Sequence, residues 1–307
     1  MADMRAIDLF AGAGGFSEGA RMAECRVVWA ANHWQAAVDT HAANHPDTAH
    51  ACQDLHQADW TQVPAHDLLL ASPACQGHTP ARGKERPHHD ACRSTAWAVV
   101  SALECHRPPF ALVENVPAFA RWALFPAWCS TLHALGYSVA PHIVDCADLG
   151  VPQHRRRLFI AATRSRHPIV LDLPRRAHVP ASTVIDFDAG NWAPLHRPGR
   201  APATIARVRA GRARFGERFV APFYGSGSGE TGRSLDRPIG TITTRDRWAV
   251  IDGDRMRMLT VPEAKRAMSF RDDYKLPDNS RLAMHMLGNA VPPLAASRII
   301  EAARAQV

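Results

Sequence analysis

The chain has 307 residues, of which 46% are hydrophobic and 21% are charged, with a formal net charge of +7; this is typical of a soluble globular protein with one large and one smaller domain. No apolar run approaches the ~20 residues of a membrane-spanning helix, and the first residues lead directly into an apolar strand, so we expect a cytosolic protein. The seven cysteines are scattered without a CxxC pair and the 17 histidines are dispersed, which argues against a metal site or a disulfide framework and favours histidines on surfaces and loops.

Predicted strands and helices alternate along the first half of the chain. The strands are Ala6–Phe10, Val27–Ala31, Asp67–Ala71, Ala111–Glu114, Ser138–Val144 and Leu158–Ala162. The helices are Gly15–Ala23, Gln35–Asn44, Ala91–Glu104 and Ala123–Leu135. This alternation predicts an α/β fold with a Rossmann-like, doubly wound and mostly parallel sheet. Because such sheets bind ligands at the carboxyl ends of their strands, the residues that follow each strand are the candidates for a site.

The first strand and the two segments after it offer a place for a nucleotide-like cofactor. Residues 8–16 read DLFAGAGGF, and a glycine cluster between a strand and a helix lets the backbone approach a cofactor closely. The motif lacks the third glycine of GxGxxG, which argues against NAD and leaves an adenosyl cofactor, or none, open. Trp34 could stack on an adenine or simply begin a helix, and Asp54 could accept a hydrogen bond from an exocyclic amine or lie in a solvated turn.

A cysteine and a carboxyl group follow the next two predicted strands. Cys75 lies within SPACQG, and its proline, glycine and polar neighbours argue against a buried, inert position. A thiolate is a strong nucleophile where nearby positive charge lowers its pKa, and Arg82, Lys84 and Arg86 follow closely in sequence. Glu114 would lie beside Cys75 if the two strands are neighbours, and a carboxylic acid there could protonate a ring nitrogen.

The pattern changes after residue 163. Six prolines between residues 168 and 202, and a glycine–serine run at 225–229, predict a second, smaller and irregular domain. Residues 164–218 contain eleven arginines and four acidic residues, so this segment alone carries a charge equal to the net charge of +7. Such segregation favours a polyanion partner over a mere compositional bias toward arginine. A final apolar helix, Leu294–Ala303, is expected to pack on the first domain.

Eight stretches of the chain form an ordered set. They are DLFAGAGGF, ANHW, the turn at Asp54, SPACQG, ENV, QHRRR, RSLDRPIGTITTRDR and MLGNAVPP. In QHRRR, which opens a strand, alternation places Arg155 and Arg157 on one side and Arg156 on the other. Each stretch alone is a modest signal, whereas their order and spacing are specific. The chain resembles the cytosine-C5 DNA methyltransferase family over nearly its whole length.

The resemblance implies a reaction and a set of site residues. Members of this family transfer a methyl group from S-adenosylmethionine to carbon 5 of cytosine in a specific duplex DNA sequence, after flipping the base out and adding a cysteine to carbon 6. The catalytic residues implied are Cys75, Glu114, Arg155 and Arg157, while Gln76 and Asn115 would contact the substrate. The cofactor-binding residues implied are Phe10, Gly12, Gly14, Gly15, Asn32, His33, Trp34, Asp54, Leu55, Asn289 and Val291.

The resemblance also implies how the chain is organised. Residues 1–164 and 280–307 would form the catalytic, cofactor-binding domain, and residues 165–279 a small target-recognition domain braced by Thr241–Thr244. The polar, basic stretch Gln76–His89 is expected to close over the flipped base. We expect a monomer whose partner is double-stranded DNA and which needs no metal.

Two residues depart from the family pattern. The family usually has proline immediately before the nucleophile, where this chain has Ala74, so we expect a slightly looser nucleophile loop. The family often has an acid for the cofactor ribose, where this chain has His33. Neutral histidine still accepts one hydrogen bond but the charge is lost, which implies weaker cofactor binding.

Two alternatives on the same fold are a non-catalytic DNA-binding homologue and an RNA cytosine-C5 methyltransferase. The retained Cys75, Glu114 and Arg157 argue against the first, for which Ala74 and His33 would be signs of decay. The tRNA branch of the family typically carries a Cys-Phe-Thr tripeptide, which this sequence lacks. An amino-methyltransferase would have an acidic-Pro-Pro-aromatic motif where this chain has SPACQ.

Overall fold

The computed structural model describes residues 4–74, 94–223, 232–245 and 247–307, and its contacts divide the chain into two compact units. The first comprises Met1–Leu149, Arg156–Arg175 and Ala290–Val307, and the second comprises Gly150–Arg155 and Arg176–Asn289. The bounds of these two units differ from those of the expected domains at three places. Residues 165–175 belong to the first unit, whereas residues 150–155 and 280–289 belong to the second.

The first unit is built around a seven-stranded sheet. Its strands are β1 (Met4–Leu9), β2 (Cys25–Asn32), β3 (Ala49–Cys52), β4 (Leu68–Ala71), β5 (Phe110–Asn115), β6 (Ser138–Asp145) and β7 (Arg156–Thr163). They lie in the order β3-β2-β1-β4-β5-β7-β6 and pair in parallel, except that β7 runs antiparallel to both β5 and β6. The predicted α/β fold with a mostly parallel sheet is confirmed. The short edge strand β3 has no buried residue, so no apolar run predicts it.

Some of the helices flank this sheet in the first unit, and the others belong to the second unit. The α-helices of the described chain are α1 (Gly15–Met22), α2 (Gln35–Asn44), α3 (Ala96–His106), α4 (Phe125–Ala134), α5 (Pro202–Phe215), α6 (Val261–Ala267), α7 (Ser280–Asn289) and α8 (Pro293–Arg304). Every residue of β4 and β5 is buried, as expected of central strands covered on both sides. Alternate residues such as Leu69 and Val113 join a core with Leu103 of α3 and Trp128 of α4.

The last helix, α8, packs against α1 in the first unit. A Cβ added at Gly19 of α1 would lie only 2.3 Å from the Cβ of Ala296, so the two helices approach as closely as a glycine permits. This contact confirms that the C-terminal helix packs on the first unit. It also holds the beginning of α1 against the segment that enters α8.

The second unit contains a four-stranded antiparallel sheet. Its strands are β8 (Ala193–Pro194), β9 (Arg218–Pro222), β10 (Trp248–Asp252) and β11 (Arg255–Met258), in the order β8-β11-β10-β9. Helix α5 packs on β9, because Gly211 has no side chain where the ring of Phe219 lies; an added Cβ would meet that ring at 2.4 Å. A small core around Val208, Phe219 and Ile251 joins the helix to the sheet.

Candidate active site

The loop between β1 and α1 has an unusual backbone. Phe10, Gly12 and Gly14 all have positive φ angles, of 59°, 56° and 85°, a region that is costly for a residue with a side chain such as Phe10. Two backbone hydrogen bonds fix the turn: Ala11 N donates to the carbonyl of Ala31 at 3.0 Å, and Gly14 N donates to the carbonyl of Ala11 at 2.9 Å. The glycine-rich loop therefore lies against the carboxyl end of β2.

Gly15 begins α1 and contacts the backbone that leads into α8. An added Cβ would lie 2.1 Å from the carbonyl oxygen of Val291, which leaves no room for any side chain. Val291 itself is buried. These two candidate cofactor residues are thus brought together, and the contact shows that the glycine is required for packing whatever else it binds.

The ends of β2 and β3 lie side by side. Gln53 N donates to the carbonyl of Asn32 at 3.1 Å, and the Asn32 side-chain oxygen caps Trp34 N at 3.0 Å. His33 is exposed and Trp34 is half-buried. Asp54 is exposed and accepts a hydrogen bond from His56 N through Oδ1, so it begins the short helical turn in which Leu55 is buried.

The segment that follows β4 is tied to two other elements. Asn115, at the end of β5, donates from Nδ2 to the carbonyl oxygen of Pro73 at 3.1 Å. Ala74 N donates to the hydroxyl of Thr95, just before α3, at 3.1 Å. Cys75 and Gln76 lie outside the described residues, as does the rest of the stretch 76–89 that is expected to close over the base. Pro73, two residues before Cys75, is thus held beside the end of β5.

Glu114 and Arg157 form an ion pair at the same sheet edge. Arg157 Nε lies 2.9 Å from Glu114 Oε1, and the two side chains are only 14% and 9% exposed. They meet because β7 runs antiparallel to β5, so the start of β7 lies beside the end of β5. A buried carboxylate paired in this way has a fixed orientation.

Arg155 and Asn289 belong to the second unit. Arg155 is 1% exposed, and its guanidinium donates to the carbonyl oxygens of Ile242 at 2.9 Å and Gly288 at 2.7 Å. Arg155 therefore joins Ile242 to the end of α7. Ile242 lies in Thr241–Thr244, the segment that is expected to brace the target-recognition domain. Asn289, the last residue of α7, is exposed.

A buried hydrogen-bonded chain beneath the glycine-rich loop was missed by sequence reasoning. Asp8 Oδ2 accepts from Ser17 N at 3.1 Å and from Ser17 Oγ at 2.7 Å, and that hydroxyl lies 2.9 Å from His41 Nε2. His41 Nδ1 lies 2.7 Å from His50 Nε2. Burial, and next the charges His45 and His50 would carry, hold the pKa of His41 well below its usual value. Asp8 begins the DLFAGAGGF motif and Ser17 directly follows it, but nothing in the sequence marks the histidines.

The expectation that histidines lie on surfaces and loops is wrong for several of them. His41 is 1% exposed, and His45 and His66 are also buried. Burial is the main cause that lowers the pKa of His66 to about 4, which keeps its ring neutral at neutral pH. Single dispersed histidines carry no periodic signal, so their burial depends on tertiary packing that a sequence pattern does not reveal.

The described residues show neither a membrane-spanning helix nor a cluster of metal ligands. Within the described ranges, no helix combines the length and apolarity needed to cross a membrane. The same residues contain no group of three or more His, Cys, Asp or Glu side chains arranged to hold a metal ion. The five cysteines that the structure describes are free thiols.

Comparison with known proteins places this site in a family. Residues 4–191 and 208–305 match the family described as C-5 cytosine-specific DNA methylase. The Type II methyltransferase M.HgiDI of Herpetosiphon aurantiacus is 30% identical over 305 residues, which cover 94% of this chain and 90% of that protein. M.AplI of Arthrospira platensis, also a Type II methyltransferase, is 28% identical over an alignment that covers 97% of this chain and 85% of that protein.

Solved structures share the fold at low identity. The Entamoeba histolytica methyltransferase EhMeth has a TM-score of 0.70 and 16% identity, with 100% of this chain and 99% of that chain covered. A structure described as a candidate DNA modification methyltransferase of an E. coli prophage has a TM-score of 0.72 and 18% identity, with 97% of this chain and 98% of that chain covered. The match over almost the whole sequence shows that this chain belongs to the C-5 cytosine-specific DNA methylase family.

Proposed function

We propose that this enzyme transfers the methyl group of S-adenosylmethionine to carbon 5 of a flipped-out cytosine in duplex DNA, through a transient bond between Cys75 and carbon 6. The observation that supports this most directly is the ion pair between Glu114 of β5 and Arg157 of β7, at 2.9 Å. The residue after Glu114, Asn115, holds Pro73 by a hydrogen bond. The acid and the residues before the nucleophile thus lie at one edge of the sheet. Membership of the family supplies the DNA cytosine substrate class.

The ends of β1 to β4 suit an adenosyl cofactor. Among the described residues other than its two chain neighbours, the nearest heavy atom to a Cβ added at Gly12 is Phe10 O, at 3.9 Å, so the loop is open to a ligand. The Ser72 hydroxyl is buried without a hydrogen-bond partner in the described structure. Trp34 offers a half-buried ring to an adenine, and Asp54 an exposed carboxylate to its amine. S-adenosylmethionine bound there would supply an electrophilic methyl group on a sulfonium sulfur.

Cys75 and Glu114 would act on the base itself. Carbon 5 of cytosine is a weak nucleophile until the Cys75 thiolate adds to carbon 6, while Glu114 donates a proton or hydrogen bond at N3 and stabilises the resulting enamine. Once carbon 5 is methylated, a base removes its proton, the bond from carbon 6 to sulfur breaks, and the thiolate leaves. Arg157 keeps the Glu114 carboxyl group oriented during these steps.

The target atoms explain why the base must leave the helix. Carbon 5 and carbon 6 are out of reach of an enzyme nucleophile in a stacked duplex, so the nucleotide is extruded at a cost of a few kcal/mol. We assign target recognition to the second unit, with Arg155 and Thr241–Thr244 as its internal brace and Gln76 and Asn115 as substrate contacts. The Type II names of the relatives support a specific duplex site as the target. We also propose that the protein acts as a monomer.

Radioactive methyl transfer tests the proposal. Purified protein is incubated with tritiated S-adenosylmethionine and genomic DNA from a methylation-free host, and the labelled base is identified after hydrolysis. We expect label in 5-methylcytosine, loss of labelling in Cys75→Ser, and unchanged labelling in the control Cys105→Ser, which alters an exposed free cysteine. A denaturation-stable complex with duplex DNA containing 5-fluorocytosine is expected only where Cys75 is present. Full activity of Cys75→Ser would refute the covalent mechanism, and labelled RNA but not DNA would refute the substrate.

A further inference from the structure

We propose that the three arginines of helix α5 that pair with no acid in the described structure, Arg207, Arg209 and Arg214, contact the phosphate backbone of duplex DNA. The inference rests on the proposed function, because it takes duplex DNA as the substrate. It goes further by assigning the contact to one element of the second unit.

The net positive charge of this region is concentrated at α5. Residues 195–215 contain six arginines and no acidic residue, and four of the six lie on the helix. The arginines of the neighbouring sheet are instead matched by acids. Arg218 and Arg255 both pair with Asp252, and the buried Arg257 pairs with Glu263. A polyanion would therefore be attracted to the helix rather than to the sheet.

The geometry of α5 separates its arginines into two flanks. Val208 and Gly211 are buried against β9 and define the inner face of the helix. Arg212 lies on one flank, where it pairs with Asp254 at 2.9 Å and Glu217 at 3.2 Å. Seven residues make close to two full turns at ~3.6 residues per turn, so Arg207 and Arg214 share the opposite flank. Arg209 lies about 160° around the helix axis from Arg207, on the side of Arg212, and none of Arg207, Arg209 and Arg214 is paired with an acid in the described structure.

The three proposed contact residues keep their hydrogen-bond donors available. In the described parts of the chain, no hydrogen bond or ion pair is made by the guanidinium of Arg207, Arg209 or Arg214. Arg209 is exposed, while Arg207 lies over the Phe223 ring at 4.8 Å and Arg214 over the Phe215 ring at 5.4 Å. Stacking holds a guanidinium by its face and leaves its edge, which carries the donors, free for an anion.

The spacing of these residues fits a duplex backbone. A helix rises ~1.5 Å per residue, so Arg207 and Arg214 lie about 10 Å apart along the axis, and phosphates of one strand repeat every ~3.4 Å along a duplex. The two arginines thus reach different phosphates of one strand. Arg207 lies in the stretch 192–207, which is outside the family match, whereas Arg209 and Arg214 lie inside it.

The salt dependence of DNA binding tests the assignment. Fluorescence anisotropy with a labelled duplex of mixed sequence gives the binding constant over a series of NaCl concentrations for the wild type, the triple variant Arg207→Gln/Arg209→Gln/Arg214→Gln, and the control Arg218→Gln. Each lost phosphate contact lowers the slope of log K against log salt by about 0.9, so the triple variant is expected to lose two to three units of slope and to bind at least ~10-fold more weakly at ~150 mM salt. The control should keep the wild-type slope.

Three results would overturn the assignment. They are an unchanged slope in a triple variant that melts like the wild type, an equal loss of slope in Arg218→Gln, and equally tight binding of polyglutamate in place of DNA. Methyl transfer by the wild type is measured in parallel. If the wild type methylates DNA but the slope does not change, only the α5 assignment fails. If the slope falls as expected but no methyl group is transferred, the proposed function fails while the DNA-binding surface stands.

Discussion

Replacing Asp8 by asparagine tests how the structure beneath the glycine-rich loop is stabilised. Asp8 lies on β1 with no exposed surface, and only its Oδ2 is hydrogen-bonded, to the backbone and hydroxyl of Ser17. Its Oδ1 is buried without a hydrogen-bond partner in the described residues. Burial raises the pKa of Asp8 from 3.8 to about 7, although the hydrogen bonds from Ser17 act in the opposite direction.

The sign and size of the effect follow from this pKa. Between about pH 4 and pH 7 the unfolded chain releases the Asp8 proton while the folded protein keeps it, so the free energy of unfolding falls as pH rises. A shift of about three units corresponds to about 4 kcal/mol at ~1.36 kcal/mol per unit. The stabilisation is complete below the unfolded pKa and fully lost above about pH 7. Asparagine cannot ionise, so Asp8→Asn removes this dependence.

Urea unfolding at several pH values measures the prediction. The free energy of unfolding of the wild type and of Asp8→Asn is determined by circular dichroism from pH 5 to pH 8. We expect the variant to gain about 2–3 kcal/mol relative to the wild type over this range, because part of the loss occurs below pH 5. The exposed control Asp188→Asn should track the wild type at every pH. A constant difference between Asp8→Asn and the wild type would refute the reasoning.

Four further substitutions probe the site. Arg157→Ala removes the cation paired with the buried Glu114 carboxylate and should lower the free energy of unfolding by about 3 kcal/mol and reduce kcat, which urea unfolding and methyl transfer measure. Asn115→Ala removes the bond to the segment before the nucleophile and should lower kcat more than it raises KM. Gly15→Ala forces backbone atoms apart and should lower Tm by several degrees, read by calorimetry. Thr95→Val should lower kcat, and the added change Ala74→Pro should restore part of it.

The sheet and its site-bearing edge were predictable because they depend on local patterns. Buried parallel strands read as short apolar runs, and the residues after them must lie at one edge, which is how Glu114 was placed beside the end of β4. The contact between Arg157 and Glu114 was less accessible to sequence reasoning, because it depends on the reversed direction of β7. No periodicity in the sequence distinguishes that strand from a parallel one.

The arginine-rich segment shows where composition reaches its limit. The count of charges between residues 164 and 218 predicts a polyanion partner but treats all eleven arginines alike. Pairing depends on acids that are distant in sequence, as with Arg218 and Asp252, which face each other across adjacent strands. Three-dimensional proximity is needed to separate arginines that neutralise acids from those on α5 that do not.

The departure at Ala74 has a structural counterpart at Thr95. A proline before the nucleophile would restrict the backbone through its ring, but it would have no N–H to donate. Ala74 has that N–H and uses it in the 3.1 Å bond to the Thr95 hydroxyl. One hydrogen bond, with Asn115 holding Pro73 on the other side, can thus supply a constraint that the ring would otherwise provide. On this account the segment Pro73–Ala74 is constrained by a bond that Thr95→Val breaks and that Ala74→Pro makes unnecessary.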